Sequence, residues 1–368
     1  MSPRIRVVLA GGGTAGHTSP LIATAEQLGQ LGDVDILCVG TPKGLESRVI
    51  PEAGLPLAMI PPVPLPRRLE PGLFAVPARL GSAVSEARAV LRNHRAQVAV
   101  GYGGYVSLPV YLAARLERVP IVLHEGNAVP GLANRIAARF TPYVVTTFPG
   151  TALPHATQLG LPVRSVIADL DRDATRPQAR QAFGLPPDGR VLLVSGGSQG
   201  ARSINEATLA ATETLLAAGI SVLHVLGPAN LTAETVSADD PATGAAYRPV
   251  GYVDDMALAY AAADLMVGRS GAGTVMETAM TGLPTIFVPL PHGNGEQARN
   301  AAFLIDAGAG LLVPDADLDA DLLATQVGDL LADPGRLATM GRLCRSLAPS
   351  GAARGLAELV LRVAERPH

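Results

Sequence analysis

Four glycine-rich stretches and two short polar clusters hold the residue types from which chemistry could be built. The first stretch, Gly11 to Gly16, follows an apolar run and ends at His17. Glycines in that place let backbone N–H groups and the start of a helix face an anion. A helix N-terminus lowers the pKa of a neighbouring imidazole, which suits His17 to a general base; a histidine that merely caps or packs at a helix start leaves the same sequence trace. The second stretch, Gly101 to Tyr105, again follows an apolar run, and the third, Gly196 to Gly200, opens a second series of such runs. The fourth, Arg269 to Thr274, leads toward Glu277. Glu277 has the reach to accept hydrogen bonds from vicinal ribose hydroxyls, or to close a capping box with Thr274. His124, Glu125 and Asn127 cluster after a strand-like run, where Glu125 fits either a proton acceptor or a partner for Arg135. Glu296 and Gln297 follow a Pro- and Gly-rich loop as readers of sugar hydroxyls.

These loops need strands to hold them. Short apolar runs at 6–10, 35–39, 98–100, 121–123 and 143–146 alternate with helical patterns, and a second series runs through 191–195, 222–225, 265–267, 285–288 and 310–313. That alternation is the signature of βαβ units and parallel sheets. Both series open alike, VVLAGGGTAGHTSPLIATAEQL and VLLVSGGSQGARSINEATLAAT, a weak repeat at the scale of a whole domain. The reading is α/β: two Rossmann-like domains with parallel sheets facing a central cleft, at residues 1–163 and 164–348. A C-terminal helix near 349–368 packs back on the first domain. Residues 158–189, rich in Pro and carrying the acidic run Asp169–Asp173, read as a linker with solvated charges.

Composition removes several classes. The 368 residues, 48% hydrophobic and 17% charged, describe a globular chain of two or three domains rather than a disordered one. Aromatic residues are 4%, Trp is absent and the net charge is −3, so nucleic acid is not an expected partner. The two cysteines, Cys38 and Cys344, have no metal-ligand spacing, and no metal is expected. No run is long enough to span a bilayer or serve as a signal peptide, so a cytosolic chain is expected. The second apolar run ends Cys38-Val39-Gly40-Thr41 without the acidic residue a nicotinamide site uses. There is no P-loop motif, and Lys43 is the sole lysine.

Charge is unevenly spread. Residues 1–163 carry +5 and the remainder −8. The stretch from Leu65 to Arg95 mixes Arg67, Arg68, Arg79, Arg88, Arg92 and Arg95 with Leu69, Leu73, Phe74 and Leu80. Such a mixture fits docking on anionic lipid headgroups, with Arg67, Arg68, Leu73, Phe74, Arg79 and Leu80 at the contact, or else an ordinary helix with a solvated basic face.

Taken together the motifs resemble one family. GGTAGH at 12–17, GYGGYVS at 101–107, HEGNAVPGLANR at 124–135, GGSQGAR at 196–202, RSGAGTVMETAMTGLP at 269–284 and HGNGEQARNA at 292–301 occur in the order and spacing of the MurG family. These are the bacterial N-acetylglucosaminyltransferases that convert lipid I to lipid II in peptidoglycan synthesis. The resemblance covers nearly the whole chain and implies a GT-B fold. It implies UDP-N-acetylglucosamine (UDP-GlcNAc) as donor, an undecaprenyl-linked muramyl-pentapeptide as acceptor, no cofactor, and a peripheral position on the cytoplasmic side of the membrane.

Carried over by position, Thr14, Ala15 and Gly16 border the donor phosphates and Asn127 reaches the donor sugar. Arg164 and Ser198 fall where the family binds the nucleotide-sugar, and Val253 matches a backbone contact to uracil. Ala272, Gly273, Thr274, Val275, Met276 and Glu277 correspond to the pyrophosphate and ribose segment. Glu296 and Gln297 stand at the paired positions that read sugar hydroxyls. His17 is the implied base of an inverting transfer, with Glu125 in reserve. Three departures are visible: Ala15 stands for a family glycine, Gly126 for the glutamine of HEQN, and Glu296 for the first of two glutamines. Two other readings are a UDP-GlcNAc 2-epimerase, which shares the architecture and donor but needs no acceptor, and a transferase acting on another lipid-linked or antibiotic acceptor.

Overall fold

The computed structural model describes residues 4–63, 76–233, 235–292 and 294–366. The chain forms two compact units, one of Met1–Arg164 with Gly351–His368 and one of Ser165–Ser350.

The first unit contains β1 (Ile5–Ala10), α1 (Ala15–Leu31), β2 (Val34–Gly40), α2 (Glu46–Glu52), β3 (Leu57–Met59), α3 (Val76–His94), β4 (Val98–Gly101), α4 (Gly104–Glu117), β5 (Ile121–Glu125), α5 (Leu132–Ala137), β6 (Tyr143–Thr146) and β7 (Ala156–Gln158). Its sheet has the order β3-β2-β1-β4-β5-β6-β7, with every neighbouring pair parallel. Val7, Val8, Leu9 and Ala10 of β1 are all fully buried because helices cover both faces, which is why the strand reads as a continuous apolar run.

The second unit contains α6 (Ser165–Ala168), α7 (Arg172–Ala182), β8 (Arg190–Ser195), α8 (Arg202–Ala217), β9 (Ile220–Val225), β10 (Ala238–Asp239), β11 (Ala246–Val250), α9 (Met256–Ala262), β12 (Leu265–Gly268), α10 (Ala272–Thr281), β13 (Thr285–Phe287), α11 (Glu296–Asp306), β14 (Gly310–Leu312), α12 (Ala320–Leu331) and α13 (Pro334–Leu347). Its sheet order is β10-β11-β9-β8-β12-β13-β14, antiparallel only at β10. In both sheets the first strand sits centrally and the chain winds outward on either side, the doubly wound arrangement. The last helix, α14 (Ala352–Ala364), belongs to the first unit, where Leu356, Val360 and Val363 form one apolar stripe buried with Leu21, Ala25 and Leu28 of α1.

One expectation changes. Residues 158–189 are not a linker: α6 and α7 belong to the second unit, and α7 packs on α9. The three aspartates of the acidic run are exposed, as expected of solvated charges, and only Arg172 among its charged residues turns inward. Asp171 caps α7 by accepting the Asp173 and Ala174 amides, which turns Arg172 inward, while Asp173 stays in water. Strands β3, β7, β10 and β11 carry too little apolar signal to stand out, being two to five residues long and, in β11, containing Arg248 and Pro249.

Candidate functional site

Doubly wound sheets bind ligands beyond the carboxyl ends of their strands, where the strand order reverses. In the first unit that point lies between β1 and β4, so the loops Gly11–Thr14 and Tyr102–Gly103 emerge side by side. In the second it lies between β8 and β12, at the loops Gly196–Ala201 and Arg269–Gly271. Each unit thus brings two sequence-distant glycine stretches together.

His17 lies in the first turn of α1, half-buried, with Nδ1 3.1 Å from Thr14 Oγ1. Gly103 and Gly104 lie beside its ring, both at positive φ, and a side chain at Gly104 would collide with the Gly12 carbonyl. Glycine is required there by the backbone conformation and, at Gly104, by the Gly12 carbonyl rather than by the imidazole. Desolvation holds the His17 pKa below its ordinary value, opposed by a hydrogen bond to the backbone of Gly12 and by the charge of Glu46. Thr14 caps α1 without a side-chain bond, and the amides of Ala15 and Gly16 begin the helix, where no carbonyl of the same helix can reach them.

Glu46, the first residue of α2, was not singled out by sequence. It is fully buried. One carboxylate oxygen accepts the Gly13 amide at 2.8 Å, and the other accepts the Thr41 amide and hydroxyl at 3.0 and 2.8 Å. Gly12, Gly40 and Gly44 leave it room, since a Cβ at any of them would overlap its side chain. A glutamate at a helix start ordinarily reads as a solvated first-turn acid, so nothing in the sequence pairs it with a loop 33 residues away.

Glu125, at the end of β5, is also buried and shapes a loop. It accepts the Asn127 amide at 2.9 Å through one oxygen, and the Gly131 amide and Asn134 Nδ2 at 2.9 and 3.0 Å through the other. Asn134 also accepts the Tyr111 hydroxyl, tying the loop to α4. A Cβ at Gly126 would make only ordinary contacts with Gly16 and Leu161, so the missing side chain leaves open space. The buried His124 donates from Nε2 to the Gly160 carbonyl, and burial lowers its pKa to about 4.

In the second unit the β8 loop turns through Gly197 and Gly200, both at positive φ, and exposes Ser198. Gly200 fits against the Leu226 carbonyl and Gly227 against Gln199, so two backbones meet closely. Helix α10 starts at Ala272 with Gly271 as its cap, not at the capping box expected from Thr274 and Glu277. Gly273, Thr274 and Glu277 lie on its accessible side, whereas Ala272, Val275 and Met276 are buried. The side chains of Val275 and Met276 anchor the helix in the core, so what this part of the segment can offer a ligand is its backbone. Glu277 accepts the Tyr260 hydroxyl at 2.7 Å.

Val253 is buried in the turn before α9. Gln297 accepts the Leu290 amide at 2.9 Å, and Glu296 opens α11 after Gly295. Asn300 of α11 donates to the Ser270 carbonyl, linking this loop to α10. Arg269 joins the loops further. It donates to the Val288 and Pro289 carbonyls and to Ser203, and pairs with Asp315. The Ser270 hydroxyl and the Arg269 Nε are buried with no partner among the described residues. Arg164 ends the first unit and is half-buried.

Of the basic apolar stretch, Arg67, Arg68, Leu73 and Phe74 lie outside the described residues. Arg79 is exposed and Leu80 half-buried on α3. Arg88 and Arg92 both pair with Glu117 at 2.6 Å, so part of that positive charge is answered inside the unit. Among the described residues no helix is long and apolar enough to cross a membrane, and no group of three or more His, Cys, Asp or Glu gathers as metal ligands would.

Comparison with known proteins bears on both units. Residues 7–146 match the glycosyltransferase family 28 N-terminal domain, and residues 191–354 match the glycosyltransferase family 28 C-terminal domain. A Cutibacterium acnes protein named UDP-N-acetylglucosamine--N-acetylmuramyl-(pentapeptide) pyrophosphoryl-undecaprenol N-acetylglucosamine transferase is 58% identical over 366 residues, covering 98% of each chain. A Nocardioides protein of the same name is 54% identical over 97% of this chain and 98% of its own. Among solved structures, Acinetobacter baumannii MurG superposes with a TM-score of 0.77 at 29% identity, covering 98% of this chain and all of that one. The calicheamicin glycosyltransferase CalG4, at 17% identity and a TM-score of 0.68, shares the fold.

Proposed function

The chain belongs to glycosyltransferase family 28, and from that membership we infer that it moves N-acetylglucosamine from UDP-GlcNAc to the muramyl 4-hydroxyl of lipid I, giving lipid II for peptidoglycan synthesis. The observation that carries this reading is identity of 54–58% along nearly the whole chain with enzymes named for that transfer. The geometry supports it. Both glycine loops sit at topological switch points, and one of them carries a histidine held by its neighbours and depleted of charge.

The reaction is an inverting displacement. The acceptor 4-hydroxyl attacks the anomeric carbon, the bond from that carbon to the diphosphate oxygen breaks, and UDP leaves with the electron pair. With Nδ1 against Thr14, the His17 Nε2 takes the hydroxyl proton, and depression of its pKa keeps it neutral and able to do so near pH 7. Charge developing on UDP falls to unpaired helix-start amides: those of Thr14, Ala15 and Gly16 on α1, and those of Ala272, Gly273 and Thr274 on α10. Ser198 and Arg164 add donors to the nucleotide-sugar, and the Val253 backbone meets the uracil. Glu277, oriented by Tyr260, reads the ribose, while Asn127, Glu296 and Gln297 read the sugar. Glu125, whose oxygens hold the loop that carries Asn127, positions that residue. The face of α3 that bears Arg79 and Leu80, with the adjoining Arg67, Arg68, Leu73 and Phe74, docks on anionic lipid at the cytoplasmic side of the membrane.

The test is incubation with labelled UDP-GlcNAc, with and without a short-chain lipid I analogue. Label passing to the lipid only when acceptor is present is the expected result. Donor turnover without acceptor would replace transfer by epimerisation, and no turnover with lipid I would point to a different acceptor.

A further inference from the structure

The second unit has a cavity of about 560 Å³ at the end of its sheet opposite the glycine loops. Gly189 and Arg190 at the start of β8, Asp264 before β12 and Pro284 before β13 form part of its wall, with α7 and α13 completing it. Strand β8 is six residues long and rises ~3.3 Å per residue, so the cavity lies roughly 20 Å from the Gly196 loop. It is a separate place from the loops assigned above to the sugar nucleotide.

Five arginines line it: Arg172, Arg176, Arg190, Arg342 and Arg345, against Asp173 and Asp264. Asp264 is committed, and Asp173 is almost wholly in water. Asp264 accepts Arg176, Arg180 and the Val191 amide, and Asp173 lies 3.6 Å from Arg176. The other four guanidinium groups have no carboxylate in contact among the described residues. Arg172 gives its donors to three neutral carbonyls, of Tyr260, Ala263 and Gly282. Arg190 donates to the Ala218 carbonyl, and Arg342 to the Thr339 hydroxyl. Arg345, exposed, lays its guanidinium against the same Gly282 whose carbonyl Arg172 holds. Like charges therefore converge on one glycine. Burial together with the neighbouring Arg176 and Arg345 lowers the Arg172 pKa to about 10. All this occurs in the half of the chain whose net charge is −8, so the patch is no reflection of composition.

Guanidinium groups gathered without matching carboxylates form the arrangement that recognises phosphate oxygens by paired, charge-assisted hydrogen bonds. The cavity's size is that of a nucleotide-sized ligand site. We propose that this cavity is a second anion site, taking a small molecule with at least two phosphate groups, with the exposed Arg342 and Arg345 at its open side, Arg172 deeper and Arg190 on its wall.

The experiment is calorimetric titration of the full chain with inorganic pyrophosphate, UDP being held at saturation so that the glycine loops are occupied. The wild type binds pyrophosphate under these conditions, and Arg342→Gln/Arg345→Gln weakens it by about tenfold or more while UDP affinity stays the same. Arg190→Gln, a single change away from α13, gives a smaller weakening in the same direction. A parallel titration with ATP separates two sources of the phosphate: tighter binding than pyrophosphate identifies a nucleotide, equal binding an inorganic or other phosphate. Failure of both probes to bind the UDP-saturated wild type overturns the proposal, as does equal affinity in wild type and variants.

Discussion

Glu46 Oε2 lies 2.8 Å from the Gly13 amide nitrogen, so a carboxylate with no exposed surface holds the glycine loop that precedes His17. Its other oxygen is filled by Thr41. In Glu46→Gln the amide oxygen can keep Thr41, but the amide NH₂ then meets the Gly13 N–H, donor against donor. The loop shifts, and kcat falls by about tenfold or more, since displacements near 1 Å are costly to a positioned reaction. Glu46→Ala leaves the Gly13 and Thr41 amides unpaired and lowers stability by about 1–3 kcal/mol. Steady-state kinetics and thermal melting check the two variants. Unchanged kcat in Glu46→Gln would remove Glu46 from loop positioning.

His17→Ala should reduce kcat by about 10²–10⁴ while leaving UDP affinity intact, the range a general base supplies. The pH profile carries a second check. Because desolvation lowers the His17 pKa, the neutral form persists below pH 6.5, and the acid limb of kcat/KM falls below that value. A limb at or above pH 6.5 would contradict the assignment.

Gly200→Ala places a methyl group into the Leu226 carbonyl at a residue with φ of +78°. Strain at such a position costs about 1–3 kcal/mol and displaces the loop that carries Ser198. UDP affinity should fall more than fivefold by titration. Gly189→Ala, also at positive φ but with open space around it and far from the loop, should lose stability without losing UDP affinity.

Two buried histidines set a pH window for stability. His124 and His224 are held neutral, each with a pKa lowered to about 4 by burial. In the unfolded chain they titrate near 6.5, so between pH 6.5 and 4 the unfolded state binds more protons and stability rises with pH. Their full contribution is present above pH 6.5 and is lost as the pH falls through that window. Melting temperature measured from pH 7.5 to 4.5 should therefore drop most steeply below 6.5. In His224→Gln, which keeps polar atoms near Asn205 and Tyr247, the slope should be shallower.

The central strands and glycine loops were legible because their signals are local. Val7 to Ala10 and Val191 to Val194 lie between two helical layers, and burial on both faces selects uninterrupted apolar residues that need no partner to be recognised. The glycines at 103, 104, 197 and 200 record backbone conformations that other residues adopt only at a cost, so they too mark their own positions. The order of these motifs was enough to place the chain beside one family. What sequence could not supply was any relation carried by a single polar side chain across a long loop. Glu46 reads as a surface acid until α2 packs it beneath Gly13, and which side chains of the 272–277 segment turn into the core is settled only by α10. Arg172 belongs to an apparent linker until Asp171 starts a helix there and directs it at three carbonyls. The period of an apolar pattern is written along the chain, whereas the partner of a buried charge depends on which elements the sheet order makes neighbours, and only the tertiary structure decides that.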